Sequence, residues 1–326
     1  MLKQLVNECL ITLQIRPDGP ILIKSGIETV SGPDMAFVRV WRNGEEEVYL
    51  PGSSSKGVLR SHAERIARTL NPEAACNPFA QVDEEATSCG LIFDRRRKVG
   101  NLPDQADQVN QLVYRESCPI CKLFGSTWYA GRLATADAYA EGRAPQPQQR
   151  DGVGIDRFTG GAAQGVKFDL EVVTEGTFVT TLHLRNFELW QLGLLGFLLA
   201  DLRDGLVRIG AAKSRGLGKV RGQVRQVQLH FLGPQAPRPE NGQLALAGMG
   251  ALTDASAYGA SPDDQVTVPF EVTEATWRSN GLRSVATWSG DGFPWAALGP
   301  RWVAYAEAYQ DAADMAHWRK GGGRGR

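Results

Sequence analysis

The sequence predicts an α+β protein of ferredoxin-like arrangement, interrupted by one large insertion. Three observations predict it. A half-buried strand, a hairpin and an amphipathic helix fill the first 70 residues. After residue 145 come extended segments, an apolar helix and a basic glycine-rich loop that runs into a strand. Between these groups, residues 71–127 are polar and hold four of the five cysteines, the composition of an insertion rather than of a core. With 326 residues the chain has room for a large core; with 36 basic and 36 acidic side chains it has no net charge to draw it onto nucleic acid. Any such binding must come from local patches.

Cys9, Ile11, Leu13 and Ile15 alternate at the period of a strand over residues 5–15. An irregular Ser31-Gly-Pro-Asp34 then leads to extended runs at 37–42 and 47–50 around Asn43-Gly44, a strong hairpin signal. Next comes Leu50-Pro-Gly-Ser-Ser-Ser-Lys-Gly-Val-Leu-Arg60, where Ser53, Ser54 and Ser55 each suit a helix N-cap. From Val58 to Leu70 the apolar residues recur at helical spacing. Backbone N–H groups at such a terminus, with Lys56 and Arg60 one turn apart, suit anionic oxygen. The spacing is not that of a Walker loop, so nucleoside triphosphate is not the natural ligand. Taken alone, the stretch reads as an ordinary capped helix.

In the insertion, 12 residues separate Cys76 from Cys89 and 28 separate Cys89 from Cys118, and Cys118-Pro-Ile-Cys121 closes the set. Four thiolates around a structural zinc would staple a segment so poor in apolar residues. Free thiols and a redox pair are the rivals; the latter is disfavoured because no strand leads into Cys118 and no helix plainly starts there. His62 is a possible substitute ligand.

Residues 132–139 suggest a short strand and 145–149 a loop. Gly152 to Ala162 reads as a basic and aromatic turn, and 167–173 and 177–185 as strands paired around Glu175-Gly176. Asn186 is expected to cap a buried helix of about five turns ending at Gly205. From Gly205 to Pro239 there are seven Lys or Arg and no Asp or Glu. Interleaved glycines let Lys213, Arg215 and Lys219 approach a phosphate chain together with the backbone. Residues 233–265 have a linker-like composition. Five of the eight tryptophans fall in 266–318, where packing onto the main core is the default and a partner surface the alternative. The terminal Gly-Gly-Gly-Arg-Gly-Arg326 reads as disordered. The N-terminus lacks a cleavable apolar core and residues 190–200 are too short to cross a membrane, so a cytoplasmic protein is expected.

Four motifs in order resemble the CRISPR-associated RAMP superfamily, most closely the crRNA-binding backbone subunits of type III effector complexes. They are the 50–60 serine motif, Cys118-Pro-Ile-Cys-Lys-Leu-Phe-Gly-Ser126, Gly154-Ile-Asp-Arg-Phe-Thr-Gly-Gly-Ala162 and Ile209-Gly-Ala-Ala-Lys-Ser-Arg-Gly-Leu-Gly218. The resemblance implies an RRM-like palm over residues 1–232, with a zinc-binding insertion at about 71–127 and a thumb at about 145–168. Residues 233–326 form a Trp-rich extension outside it. It also implies crRNA and single-stranded target RNA as ligands, gripped by the serine motif, Arg157, Phe158 and the glycine-rich loop. Other effector subunits and further copies of the chain are the implied partners. In target-cleaving members an Asp between the first strand and the serine motif supports Mg²⁺- or Mn²⁺-dependent cleavage; Asp34 stands there, after Ser31-Gly32-Pro33 where the family often has paired glycines. Asp137 is the other candidate. For both, the plain alternative is a carboxylate bonding to turn backbone. A non-cutting scaffold and a repeat-processing nuclease with a histidine base are the competing functions.

Overall fold

Cys9, Ile11, Leu13 and Ile15 are all buried, on one face of an 11-residue strand at the centre of the main sheet. The computed structural model describes residues 3–26, 32–80, 88–271 and 275–319, with the side chains of Asp291, Asp314 and Trp318 outside the description. Ser31 and the glycine-rich terminus therefore lie outside it too. The chain runs through β1 (Asn7–Pro17), the hairpin β2 (Arg39–Arg42) and β3 (Glu45–Val48), then α1 (Gly52–Leu70). The insertion contributes α2 (Cys89–Lys98), α3 (Ala106–Glu116), α4 (Pro119–Phe124) and a minimal hairpin, β4 (Gly125–Ser126) with β5 (Tyr129–Ala130). After it come β6 (Leu133–Thr135), β7 (Tyr139–Ala140), β8 (Gln148–Ile155), β9 (Ala162–Val172), β10 (Phe178–Arg185), α5 (Leu189–Arg203) and β11 (Val220–Leu232). The last part holds β12 (Gln243–Ala247), α6 (Met249–Leu252), β13 (Gln265–Pro269), β14 (Ala275–Ser279), β15 (Arg283–Ser289), α7 (Trp295–Ala308) and α8 (Ala313–Arg319).

The architecture is mixed α and β around one antiparallel sheet of order β14-β15-β11-β1-β10-β6, with β7 beside β6 on the same edge of β10. Inward residues align across it: Ile11 stands opposite Leu182 on β10 and Val227 on β11. α5 is apolar nearly all round because it lies between the sheet and α7. Gly193 permits that approach, since a Cβ there would fall 2.3 Å from the Leu298 carbonyl oxygen.

Several elements differ from the sequence reading. α2 and α3 are well-formed helices in a region read as irregular, and α4 starts directly after Cys118, whose sulfur accepts from Cys121 N–H. α5 is capped by Glu188, not Asn186: Glu188 and Gln191 form a reciprocal capping box. Asn186 instead takes φ 46° and binds Val6 N–H and the Gln4 carbonyl. The 167–173 segment pairs with 148–155, not with 177–185. The reason is that β10 is occupied on both edges, by β1 and by β6 and β7. The linker-like 233–265 contains a strand, paired with β13 just beyond it, and a short helix, whose Leu244, Leu246 and Met249 are buried. Of the late tryptophans, Trp288 and Trp302 are buried and Trp277 and Trp295 half-buried against the core, so packing accounts for those four. Among the described residues no helix is long and apolar enough to cross a membrane.

Asp264 gives the fold a pH dependence. Its Oδ2 accepts the Leu189 N–H at 3.0 Å at the start of α5, and its main chain bonds Gly248. Burial pushes its carboxyl up to about 7 despite that hydrogen bond. The folded state therefore favours the protonated form, and this group's stabilising share is lost as pH rises from the usual carboxylate range through about 7. Wild type should lose about 2 to 3 kcal/mol relative to Asp264→Asn between pH 5 and pH 8 in paired denaturant titrations. Parallel pH profiles for the two proteins would contradict this.

Candidate nucleic-acid interface and metal centre

The N-terminus of α1 is capped from 85 residues away: Asp137 Oδ1 accepts the Gly52 N–H at 2.7 Å, and Thr135 Oγ1 donates to the Gly52 carbonyl at 2.7 Å. Only glycine fits, because a Cβ at 52 would lie 2.4 Å from the Thr135 oxygen. Helix capping is thus not the serines' task. Ser53, Ser54 and Ser55 form the first turn itself, Ser53 exposed and the other two half-buried. Asp137 takes the turn-backbone role that was its plain alternative. Lys56 is half-buried, and desolvation, aided by Arg60, holds its ammonium below the ordinary lysine range. Arg60 is committed elsewhere, to Glu64 Oε1 at 3.0 Å, the Gly125 carbonyl at 2.8 Å and Cys121 Sγ at 3.5 Å.

The glycine-rich loop is pinned from below. Ala211 N–H reaches the Leu22 carbonyl at 2.7 Å and Ile209 N–H the Gly218 carbonyl at 2.9 Å. Gly210 has φ 77° and its hypothetical Cβ would lie 2.1 Å from the Leu22 oxygen, so no side chain is tolerated. This rigid base leaves Lys213 and Arg215 exposed on top. Lys219 is different: its Nζ pairs with Asp18 Oδ2 at 2.8 Å, beside Arg221.

β8 and β9 form a two-stranded arm, largely exposed on both faces. Its tip is built by Asp156, whose Oδ1 accepts from Phe158 N at 2.7 Å and Thr159 N at 3.0 Å. Phe158 is 101% exposed, so no described residue covers its ring, and Arg157 beside it is exposed as well. Lower on the arm, the Phe168 ring lies over Gly152, where a Cβ would come within 2.2 Å, and Arg215 stacks above that ring at 5.7 Å. The arm and the glycine-rich loop therefore meet. Asp34 joins them at the root: it is exposed, and its Oδ2 accepts the Asp169 N–H on β9 at 2.9 Å. Met35 and Asp169 share a backbone bond, and Glu171 accepts from Phe37 N and pairs with Arg39 at 2.8 Å.

The four cysteines of the insertion come together although three segments supply them. Their sulfurs are buried and lie within 4.8 Å of one another, Cys76 and Cys121 at 3.5 Å. A tetrahedron of thiolates with Zn–S of ~2.3 Å has sulfur–sulfur edges of about 3.8 Å, so the group fits a metal such as zinc. N–H donors already face the sulfurs: Cys118 N to Cys89 at 3.4 Å and Cys121 N to Cys118 at 3.5 Å. A helix N-terminus under Cys118 suits a thiolate, whichever chemistry follows. His62 is no ligand; its Nε2 pairs with Asp201 at 2.6 Å and its Nδ1 with Arg65 at 3.0 Å. Cys9 lies apart in the core.

The RAMP superfamily profile matches residues 14–221, nearly two thirds of the chain. The chain belongs to the RAMP superfamily. No curated protein matches it. Membership brings a CRISPR-related, RNA-binding function within a complex. In this RAMP protein the matched span runs from the middle of β1 into β11 and encloses α1, the insertion, the arm and the glycine-rich loop. Two contributions escaped the sequence reading: the helix-capping role of Asp137, which closes over 85 residues, and Arg319, whose Nη2 donates to Cys89 Sγ at 3.4 Å. A polar Thr-Ala-Asp after an insertion was the only hint for the first.

Protein purified without chelator should contain about one zinc per chain by elemental analysis, held by four thiolates. Cys118→Ser should lose it and unfold well below the wild-type temperature. Metal-free protein of undiminished stability would contradict the assignment.

Proposed function

We propose that this RAMP protein is a crRNA-binding backbone subunit of a type III CRISPR effector complex and that Asp34 supports metal-dependent cleavage of target RNA. The observation that carries the reading is the arm: an uncovered phenyl ring at its tip and a carboxylate bonded to its root. At the tip of an exposed arm the Phe158 ring is free to stack on a partner, and unstacked bases are such a partner. The strand order β11-β1-β10-β6, with α1 and α5 on the connections, supports an RRM-like palm, and the arm reads as its thumb.

Ser53, Ser54, Ser55, Lys56, Lys213 and Arg215 form the phosphate cradle. Arg60 and Lys219 belong to it as supports, because each already holds a carboxylate. Bound Mg²⁺ or Mn²⁺ supplies charge neutralisation at a scissile phosphate. The chain's own part is positional. Asp34 presents a carboxylate at a fixed place relative to the arm, and Phe158 splays a nucleotide so that its 2′-OH stands in line with the neighbouring phosphorus. The partners are crRNA, single-stranded target RNA, other effector subunits and further copies of this chain, in the cytoplasm. One observation favours a second reading, a scaffold that binds guide RNA without cutting: the Asp169 N–H occupies Asp34 Oδ2, as in a structural strap.

Lys56→Ala with Lys213→Ala should weaken RNA retention about 10- to 100-fold for all sequences alike and lower the salt slope by about 1 to 2. Unchanged or sequence-selective retention would remove these loops from the cradle. Asp34→Asn keeps an acceptor for the Asp169 N–H while removing the charge, so it separates cutting from strapping. Assemblies carrying it, or Asp34→Ala, should bind target and fail to cut it in Mg²⁺. Full cutting by the Asn variant would exclude Asp34, and a wild type that binds without cutting would establish the scaffold.

A further inference from the structure

Two arginines from distant parts of the chain converge on different sulfurs of the cysteine group. Arg60 on α1 reaches Cys121 Sγ with one nitrogen and Glu64 with another. Arg319, at the end of α8, reaches Cys89 Sγ with one nitrogen and Asp311 with another. The order is the same in both: carboxylate, guanidinium, sulfur. The Arg60 and Arg319 side chains are only 20% and 16% exposed, so each charge depends on these partners rather than on water. A guanidinium has donors only, and a neutral thiol is a weak acceptor. Four thiolates around a divalent ion carry two surplus negative charges, which N–H donors on sulfur relieve. The two relays therefore match a metal-loaded centre better than four thiols.

The second relay has a mechanical side. α8 is seven residues long, too short to hold its shape alone, and among its described side chains only Met315 is buried. The segment just before it is tied to the same place. Asp311 accepts from the Tyr309 hydroxyl at 3.0 Å, and Asp311 N–H reaches Glu73, three residues before Cys76, at 3.3 Å.

We propose that Arg60 and Arg319 are positioning residues of the metal centre, and that metal-bound thiolate at Cys89 is what fastens the terminal helix α8 onto the insertion. The centre thereby joins three separate parts: helix α1, the insertion and the terminal helix α8. This rests on the metal assignment and not on any RNA chemistry.

The test uses full-length, zinc-loaded protein with three readouts: zinc transfer to a chromogenic chelator, hydrogen exchange across residues 313–319, and the sulfur-to-metal charge-transfer band after cobalt(II) substitution. Arg319→Ala should release zinc about 10- to 100-fold faster, open α8 to exchange and move the cobalt band to lower energy. Arg319→Lys, which retains charge and a donor, should restore part of each. Arg60→Ala should speed release without opening α8. Removing zinc from wild type should open α8 as Arg319→Ala does, which keeps the test independent of how any variant folds. Zinc-loaded wild type whose α8 stays protected after zinc removal, or an Arg319→Ala variant with wild-type release and band, would overturn the clasp alone. Absence of bound zinc from wild type would overturn the metal assignment, and the clasp with it.

Discussion

β1 is hydrogen-bonded along its length on both sides, to β10 and to β11, and the other elements take their places from it. Its inward face supplies the apolar floor beneath α5. Its first residue does comparable work with polar atoms. Buried Asn7 accepts the Phe187 N–H at 2.8 Å and donates to the Phe187 and Ala247 carbonyls at 3.1 Å. One amide thus ties the start of β1 to the approach to α5 and to the end of β12. An unsatisfied amide at this depth costs about 1 to 3 kcal/mol, so the three partners must be present together. Fixing β1, β10 and α5 in this way fixes where the loops at the sheet ends emerge, and those loops carry the cations.

Those cations are sorted by what they already hold. Lys219 and Arg221 share Asp18, Arg225 holds Glu141, and Arg60 spans a carboxylate and a sulfur. Half-buried Lys56 and the exposed Lys213 are both held below the ordinary lysine range, mainly by partial desolvation, each with an arginine adding repulsion. A strained ammonium is one that an incoming anion relieves. The chain's zero net charge therefore conceals a division between cations that brace loops and cations left for a ligand.

Much of this was legible in the sequence where periodicity or turn chemistry is local. Strand β1 follows from its alternation, and the β2–β3 hairpin from Asn43-Gly44, which take φ 52° and 85°. The buried helix α5 follows from its apolar run, but its cap does not, because an N-terminal Glu with Gln three residues on carries less signal than Asn. α3 escaped notice because it packs on β5 and on the turn at Ser256–Tyr258 and wholly buries only Val113 and Tyr114, too few to mark a period; α2 did because a buried arginine, Arg96, stands among its inward residues. The arm escaped its correct pairing because β8 and the outer part of β9 bury no side chain that would impose alternation, which Leu170 and Val172 show only at the root. The four cysteines were legible as a set, while the arginines around them were not, since nothing local distinguishes Arg319 from any other terminal arginine.

The C-terminal strands have a consequence for how the chain can be divided. β15 pairs with β11 over seven residues, from Gln226–Ser289 to Leu232–Arg283, and β14 then covers β15. A polypeptide ending near residue 232 would present β11 as a raw edge and leave the flank of α5 that receives Trp302 and Leu298 in water. Such an edge invites pairing with another copy. The whole chain instead ends this side of the sheet on the short, largely exposed β14, and so trades a thirteen-residue edge for one of five residues.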